Sequence, residues 1–136
     1  MPGRPAIELI RPPELTDSVP YAYAAVAGDV SRLIFTAGAC PLDASGETVA
    51  AGNVAAQAEQ VMTNLETTLH AAGAGLTDVV KTTVYVASAR QDDLLAAWDV
   101  VSRHFGDHDA PSTLLGVTVL GYRDQLVEVE AVAAIR

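Results

Sequence analysis

The chain has 136 residues, half of them apolar, and sets 17 acidic side chains against 8 basic ones for a formal net charge of −9. That length supports one domain with a core and is too short for two, and the apolar fraction argues against disorder. A surface this acidic repels phosphate backbones, no basic stripe with interleaved aromatics is present, and no apolar run approaches the roughly 20 residues of a membrane span.

Nucleic acid and membrane are therefore not expected partners. The N-terminal segment MPGRPAIELIRPPEL lacks the long hydrophobic stretch of a secretory signal. A single cysteine, Cys40, excludes an internal disulfide and fits a reducing compartment. The expectation is a soluble cytoplasmic protein with one domain over residues 1–136. A small anionic substrate is compatible with the charge, because one arginine or a ring of backbone N–H groups suffices to hold it.

Five of the seven prolines fall in the first 20 residues: Pro2, Pro5, Pro12, Pro13 and Pro20. Between them Ile7, Leu9 and Ile10 predict a short strand, at an edge because proline cannot donate to a ladder. Tyr21 to Ala27 is a second candidate strand, ended by the turn pair Gly28-Asp29. Arg32 to Gly38 is a third, richer in β-formers, and Glu47-Thr48-Val49 a short returning strand after the turn Asp43 to Gly46. Val54, Ala58, Val61, Leu65, Leu69 and Ala72 recur at helical spacing with Met62 widening the stripe, between an Asn53 N-cap and a Gly73 stop. Gln57, Glu59, Gln60, Asn64 and Glu66 form the opposite, partly solvent-facing side of that helix.

Asp78 to Ala87 is rich in Val and Thr with neither alternating face fully polar, which predicts a strand inside a sheet. The acids of Gln91-Asp92-Asp93 suit a helix N-terminus, and Leu94, Leu95, Trp98, Val101 and Phe105 make a second apolar stripe stopped by Gly106. Ala110 to Ala133 reads as a hairpin, two strands joined around Gly121-Tyr122-Arg123-Asp124. In its second strand Val127, Val129, Ala131 and Ala133 point one way, and Leu126, Glu128, Glu130 and Val132 the other. Two carboxylates on one face of an apolar strand either meet water or line a polar recess.

The predicted order, β-β-β-(β)-α-β-α-β-β, gives an α+β domain: a mixed five- or six-stranded sheet with two helices on one face. No third helix is left to cover the other face, so the sheet is expected to be covered by further copies of the chain.

Pro20-Tyr21, IFTAGACPLDASGE, AAQAEQVMTNLETTLHAAGAGLTDVVKTTVYV and VEVEAVA together resemble the reactive-intermediate deaminase family, RidA or YjgF, over nearly the whole chain and in order. The resemblance implies a chorismate-mutase-like fold and a homotrimer whose sheets form a central barrel, with a small-molecule ligand cleft between subunits. It also implies cofactor-free hydrolysis of imines or enamines to a carbonyl product and ammonia.

Carried over by residue, the acid that assists water or proton transfer falls on Glu128. Tyr21 and Gly38 fall on cleft-lining positions. The family's carboxylate-clamping arginine falls on Thr113, and no residue from Ala110 to Leu120 is basic. A hydroxyl reproduces neither the charge nor the fork of a guanidinium. Carboxylate-bearing imines are therefore expected to be poor substrates, and a non-catalytic ligand-binding or regulatory trimer is the alternative. An RNA-cleaving role, sometimes attached to the family, is opposed by the charge: three chains at −9 sum to −27.

Plainer roles stand beside these. Tyr21 suits an edge strand as well as a cleft, Thr113 is an ordinary strand residue, and Glu130 has no implied role beyond a structural or exposed one. Cys40 has no basic neighbour to activate a thiolate. His104 and His108 stand four apart, but Gly106 interrupts the helix between them and no third ligand is placed, so a solvated loop is expected rather than a metal site. Trp98 is expected in the core, and Gly73 and Gly75 end a helix without forming a phosphate loop.

Overall fold

A computed structural model describes residues 6–136; Pro2 and Pro5 lie outside the described residues. Six strands and two helices appear: β1 (Ile7–Ile10), β2 (Ala24–Ala27), β3 (Arg32–Phe35), α1 (Val54–Ala71), β4 (Val79–Val86), α2 (Gln91–Phe105), β5 (Ser112–Gly116) and β6 (Val127–Ile135). A single 3₁₀ turn, Leu76–Asp78, leads into β4. The strands divide into an antiparallel pair, β1 with β2, and a mixed four-stranded sheet in the order β3-β6-β4-β5.

The expected hairpin over Ala110 to Ala133 does not form. β5 pairs in parallel with β4, and β6 pairs antiparallel with β4 on its other side. The reason is topological: α2 carries the chain back across the sheet, and a helical crossover delivers the next strand parallel to the one before it. The polar stretch around Gly121 to Asp124 is a turn within a loop that steps over β4. The returning strand expected at Glu47 to Val49 reduces to one bridge between Leu42 and Thr48.

Helix α1 begins where the sequence predicts. Asn53 is the N-cap, its Oδ1 accepting from Ala56 N at 3.0 Å, and Gly73 follows at φ +87°, a left-handed conformation that glycine adopts without strain. Both helices lie on one face of the four-stranded sheet. Val61, Met62, Leu65 and Leu69 of α1 and Val100 and Val101 of α2 form one core with Val84, Val86, Val127 and Val129. The period-two reading of β6 holds: Val127, Val129, Ala131 and Ala133 are buried, while Glu128, Glu130 and Val132 are only half-buried. Leu95 departs from its predicted stripe and stands 59% exposed.

The polar side of α1 is not all solvent-facing. Gln57 is fully buried. Its amide nitrogen donates to Ala50 O at 3.4 Å and Asp124 O at 2.9 Å, and its oxygen accepts from Leu126 N at 2.7 Å. Asn64 likewise donates to Cys40 O and Leu42 O, each at 2.9 Å. Two loops are thus pinned to one helix by side chains whose removal would leave backbone groups unpaired.

The other face of the sheet has no helix. Cross-strand partners share a face, so the register Thr83↔Glu130, Tyr85↔Glu128 and Lys81↔Val132, with Thr83↔Thr113 and Tyr85↔Leu115, places all these side chains together there. Leu33 and Phe35 of β3 stand 56% and 71% exposed.

Candidate active site

Glu128 is the best-organised polar group on the open face. The bridge between Ala39 and Val129 draws the segment after β3 alongside β6. Cys40 Sγ then donates to Glu128 Oε1 at 3.2 Å, and Gln125 Nε2 donates to the same oxygen at 3.1 Å. Gln125 is itself buried and held, donating to Val127 O at 3.1 Å and accepting from Tyr122 N at 3.0 Å. Gly38 makes room for the carboxylate: a Cβ there would lie 2.3 Å from Glu128 Oε2. That glycine is required for space. One carboxylate oxygen is thus doubly held while the other rests over a backbone with no side chain.

The same contacts determine the thiol. Burial first, then the hydrogen bond to Glu128, push the Cys40 thiol up to about 11. It is a proton donor to Glu128 at neutral pH, which removes the thiolate that nucleophilic chemistry would need.

Glu130, two residues along, has different company. Tyr85 Oη donates to its Oε1 at 2.7 Å, and that bond, more than burial, raises the tyrosine. Glu130 lines a recess of about 280 Å³ with Phe35, Thr36, Lys81, Thr83, Ala131 and Val132.

Tyr21 and Thr113 lie elsewhere, in a depression of about 520 Å³ lined with Pro20, Leu95, Trp98, Ser112 and Leu114. Tyr21 and Trp98 meet edge to face at 6.5 Å. Trp98 is therefore half-buried and split between core and wall rather than wholly core. Thr113 stands in the row of Glu130 and two strands from it, about 10 Å away at ordinary strand spacing. The four residues singled out from the sequence thus form two clusters, Glu128 with Gly38 and Tyr21 with Thr113, that do not converge within one chain.

Sequence reasoning missed three participants: Gln125, whose residue type reads as solvent-facing; Cys40 as a donor to Glu128; and Lys81, whose Nζ donates to Thr113 Oγ1 at 2.6 Å. The last needs the β4–β5 register, which periodicity does not contain. The expected solvated loop at His104 and His108 is also corrected. His104 bridges the helices, with Nε2 3.0 Å from Glu59 and Nδ1 3.5 Å from Glu66, and His108 Nε2 bonds Val79 O at 2.8 Å and stacks on Phe105. Among the described residues no three His, Cys, Asp or Glu side chains form a group able to hold a metal ion, and no helix is long and apolar enough to cross a membrane.

Two helices on one face of a mixed sheet, with a carboxylate organised on the other, define an α+β domain of the YjgF/Rid type. The chain belongs to that family: it matches Endoribonuclease L-PSP over residues 14–135. It is 33% identical over 114 residues to a RutC family protein of Pyrococcus horikoshii, covering 84% of this chain and 86% of that one. It is 32% identical over 114 residues to human 2-iminobutanoate/2-iminopropanoate deaminase, covering 84% and 79%. Among solved structures, YyfB of Yersinia pestis, a Rid-family protein of unknown function, superposes with a TM-score of 0.88 at 30% identity over 96% of this chain and 99% of that one. The yjgF gene product of E. coli gives 0.66 at 31% over 86% and 89%.

Proposed function

We propose that the protein is a cofactor-free hydrolase of imines or enamines that works as a homotrimer, with its site in a cleft between subunits. The observation that carries this reading is the Glu128 carboxylate, held at Oε1 by Cys40 and Gln125 and lying over Gly38. In this reading water attacks the C=N carbon while Glu128 takes its proton and passes it to the nitrogen. The carbinolamine then loses ammonia as its hydroxyl proton moves to nitrogen by the same carboxylate, leaving the carbonyl product. The human relative's name as an imine deaminase supports the reaction class.

The separation of the Glu128 and Tyr21–Thr113 clusters supports a shared cleft, because only a second copy can bring one cluster opposite the other. Exposed Leu33 and Phe35 on the uncovered sheet face give that copy an apolar surface to bury. Charge opposes the nuclease activity that the family's name suggests, since a trimer would carry three times −9, or −27. A ligand-binding trimer without catalysis is the second reading, favoured by Thr113 where the family resemblance implies arginine.

The test is a screen of imines and enamines for release of ammonia and carbonyl, with mass measured in solution by light scattering. We expect a trimer that accelerates hydrolysis of at least one substrate class with a dependence on Glu128. A monomer at micromolar concentration would sink the shared cleft, and a trimer inert toward every substrate would favour the binding protein.

A further inference from the structure

The Tyr21–Trp98 depression combines two features that the proposed chemistry leaves unused. Its walls are largely apolar: Tyr21, Leu95, Trp98 and Leu114 surround about 520 Å³, far more than a three-carbon substrate fills. Leu95, a large apolar side chain, is left 59% exposed beside it. The edge-to-face setting of Tyr21 and Trp98 leaves ring surface open to a further aromatic or aliphatic group.

The second feature is a cation at the margin. Lys81 is the chain's single lysine. Despite the excess of acids it makes no ion pair among the described residues, and its recorded hydrogen bond goes to the Thr113 hydroxyl. An ammonium has three N–H donors and no acceptor, so Thr113 Oγ1 must accept this bond. Two ammonium protons and the threonine proton then remain for an outside acceptor. Thr113 lines the depression, so donors and apolar walls adjoin. Glu130 shares the neighbouring recess with Lys81 and would oppose a second negative charge. That favours a monoanion over a phosphate dianion.

We propose that this depression binds a monocarboxylate with a large apolar body of aromatic size, its carboxylate on Lys81 and Thr113 and its body against Trp98, Tyr21 and Leu95. The inference deepens the proposed function and rests on it for the ligand being the substrate: the imines of bulky apolar 2-oxo acids, rather than of small ones. It also revises the expectation that carboxylate-bearing imines are poor substrates, because strand pairing supplies a point charge where the resemblance implies a fork.

The experiment separates binding from turnover. Trp98 is the single tryptophan, so its emission reports occupancy directly. Titration with 3-phenylpropanoate should shift that emission and saturate, whereas propanoate and neutral 3-phenylpropanamide should bind at least about tenfold more weakly. Lys81→Met should cost 3-phenylpropanoate about tenfold or more in affinity and leave the amide unchanged. Leu95→Ser, at an exposed position, should weaken both phenyl ligands alike. Equal binding of propanoate and 3-phenylpropanoate, or an unchanged affinity in Lys81→Met, would overturn the assignment. Imines generated in situ from phenylalanine and alanine supply the second arm, with faster hydrolysis of the phenylalanine-derived imine expected and the reverse preference overturning the substrate class. Specific binding of 3-phenylpropanoate with neither imine accelerated would instead overturn the hydrolase reading and leave the carboxylate site standing.

Discussion

Glu128 and Glu130 make a controlled comparison inside one strand. They share a face of β6, are comparably half-buried and differ only in what surrounds them. Glu128 has two donors converging on one oxygen and bare backbone beneath the other. Glu130 has one phenol and a recess shared with Lys81. A carboxylate oxygen held by two converging donors, one of them the buried Gln125, keeps its orientation through a reaction cycle better than one tethered by a single phenol. Chemistry is thus placed by the neighbours more than by the residue.

The sharpest way to break this comparison is to neutralise each acid in turn. Glu128→Gln should lower imine turnover on the order of 10² to 10⁴, the span typical of general acid–base groups. Glu130→Gln should stay within about threefold on that scale. Equal losses in steady-state kinetics would erase the distinction.

A finer probe leaves both acids in place. Gly38→Ala would put a methyl 2.3 Å from Glu128 Oε2 and 2.7 Å from its Cγ, so the whole side chain must leave its place and its bonds from Cys40 and Gln125. Melting temperature should fall and turnover should drop about tenfold or more, through a carboxylate displaced from its working position. A folded variant with full activity would show that the approach to Gly38 is incidental.

Stability gives the third contrast. Gln57→Ala would strand the backbone partners of a buried amide at Ala50, Asp124 and Leu126, at a cost of about 2–4 kcal/mol readable as a lower urea midpoint. Gln60→Ala, whose partner is the Asn64 side chain, should cost well under 1 kcal/mol.

The smallest effect is in alkali. The Cys40 thiol is raised from 9.0 to about 11 in the fold, so the native state keeps a proton that the unfolded chain releases. Its contribution is complete below pH 9 and is lost as pH rises from 9.0 toward about 11. Tyr85 is raised as well and adds the same sign. The difference between wild type and Cys40→Ala isolates the thiol; parallel stability curves across that window would contradict its hydrogen bond to Glu128.

Much of this was legible in the sequence, for identifiable reasons. The alternation of β6 located Glu128 on the open face because burial imposes period two on a half-covered strand. Asn53 and Gly73 marked α1 because orphan backbone groups at helix ends demand those residue types. Three features were hidden. β5 and β6 read as a hairpin because both are β-rich and a turn lies between them, while strand order depends on the crossover by α2. Gln57 read as part of a partly solvent-facing side because its burial depends on backbone partners distant in sequence, Asp124 and Leu126, and Gln125 gave no signal at all. Lys81 read only as part of a strand, since its meeting with Thr113 belongs to the register. The last has a practical consequence: Thr113→Arg would set a guanidinium against an ammonium instead of filling an empty place.

The strand order β3-β6-β4-β5 also bears on how the chain comes to fold. The strand that pairs with both β3 and β4 is synthesised after either of them. A nascent chain ending before Val127 holds two strands with nothing between them to complete their ladders, and both helices without the apolar floor that β6 supplies. Such an intermediate exposes sheet edges and core together, the state most prone to wrong pairing. Commitment to the native topology therefore waits until β6 has been synthesised, and agents that shield exposed strands should matter most in that interval.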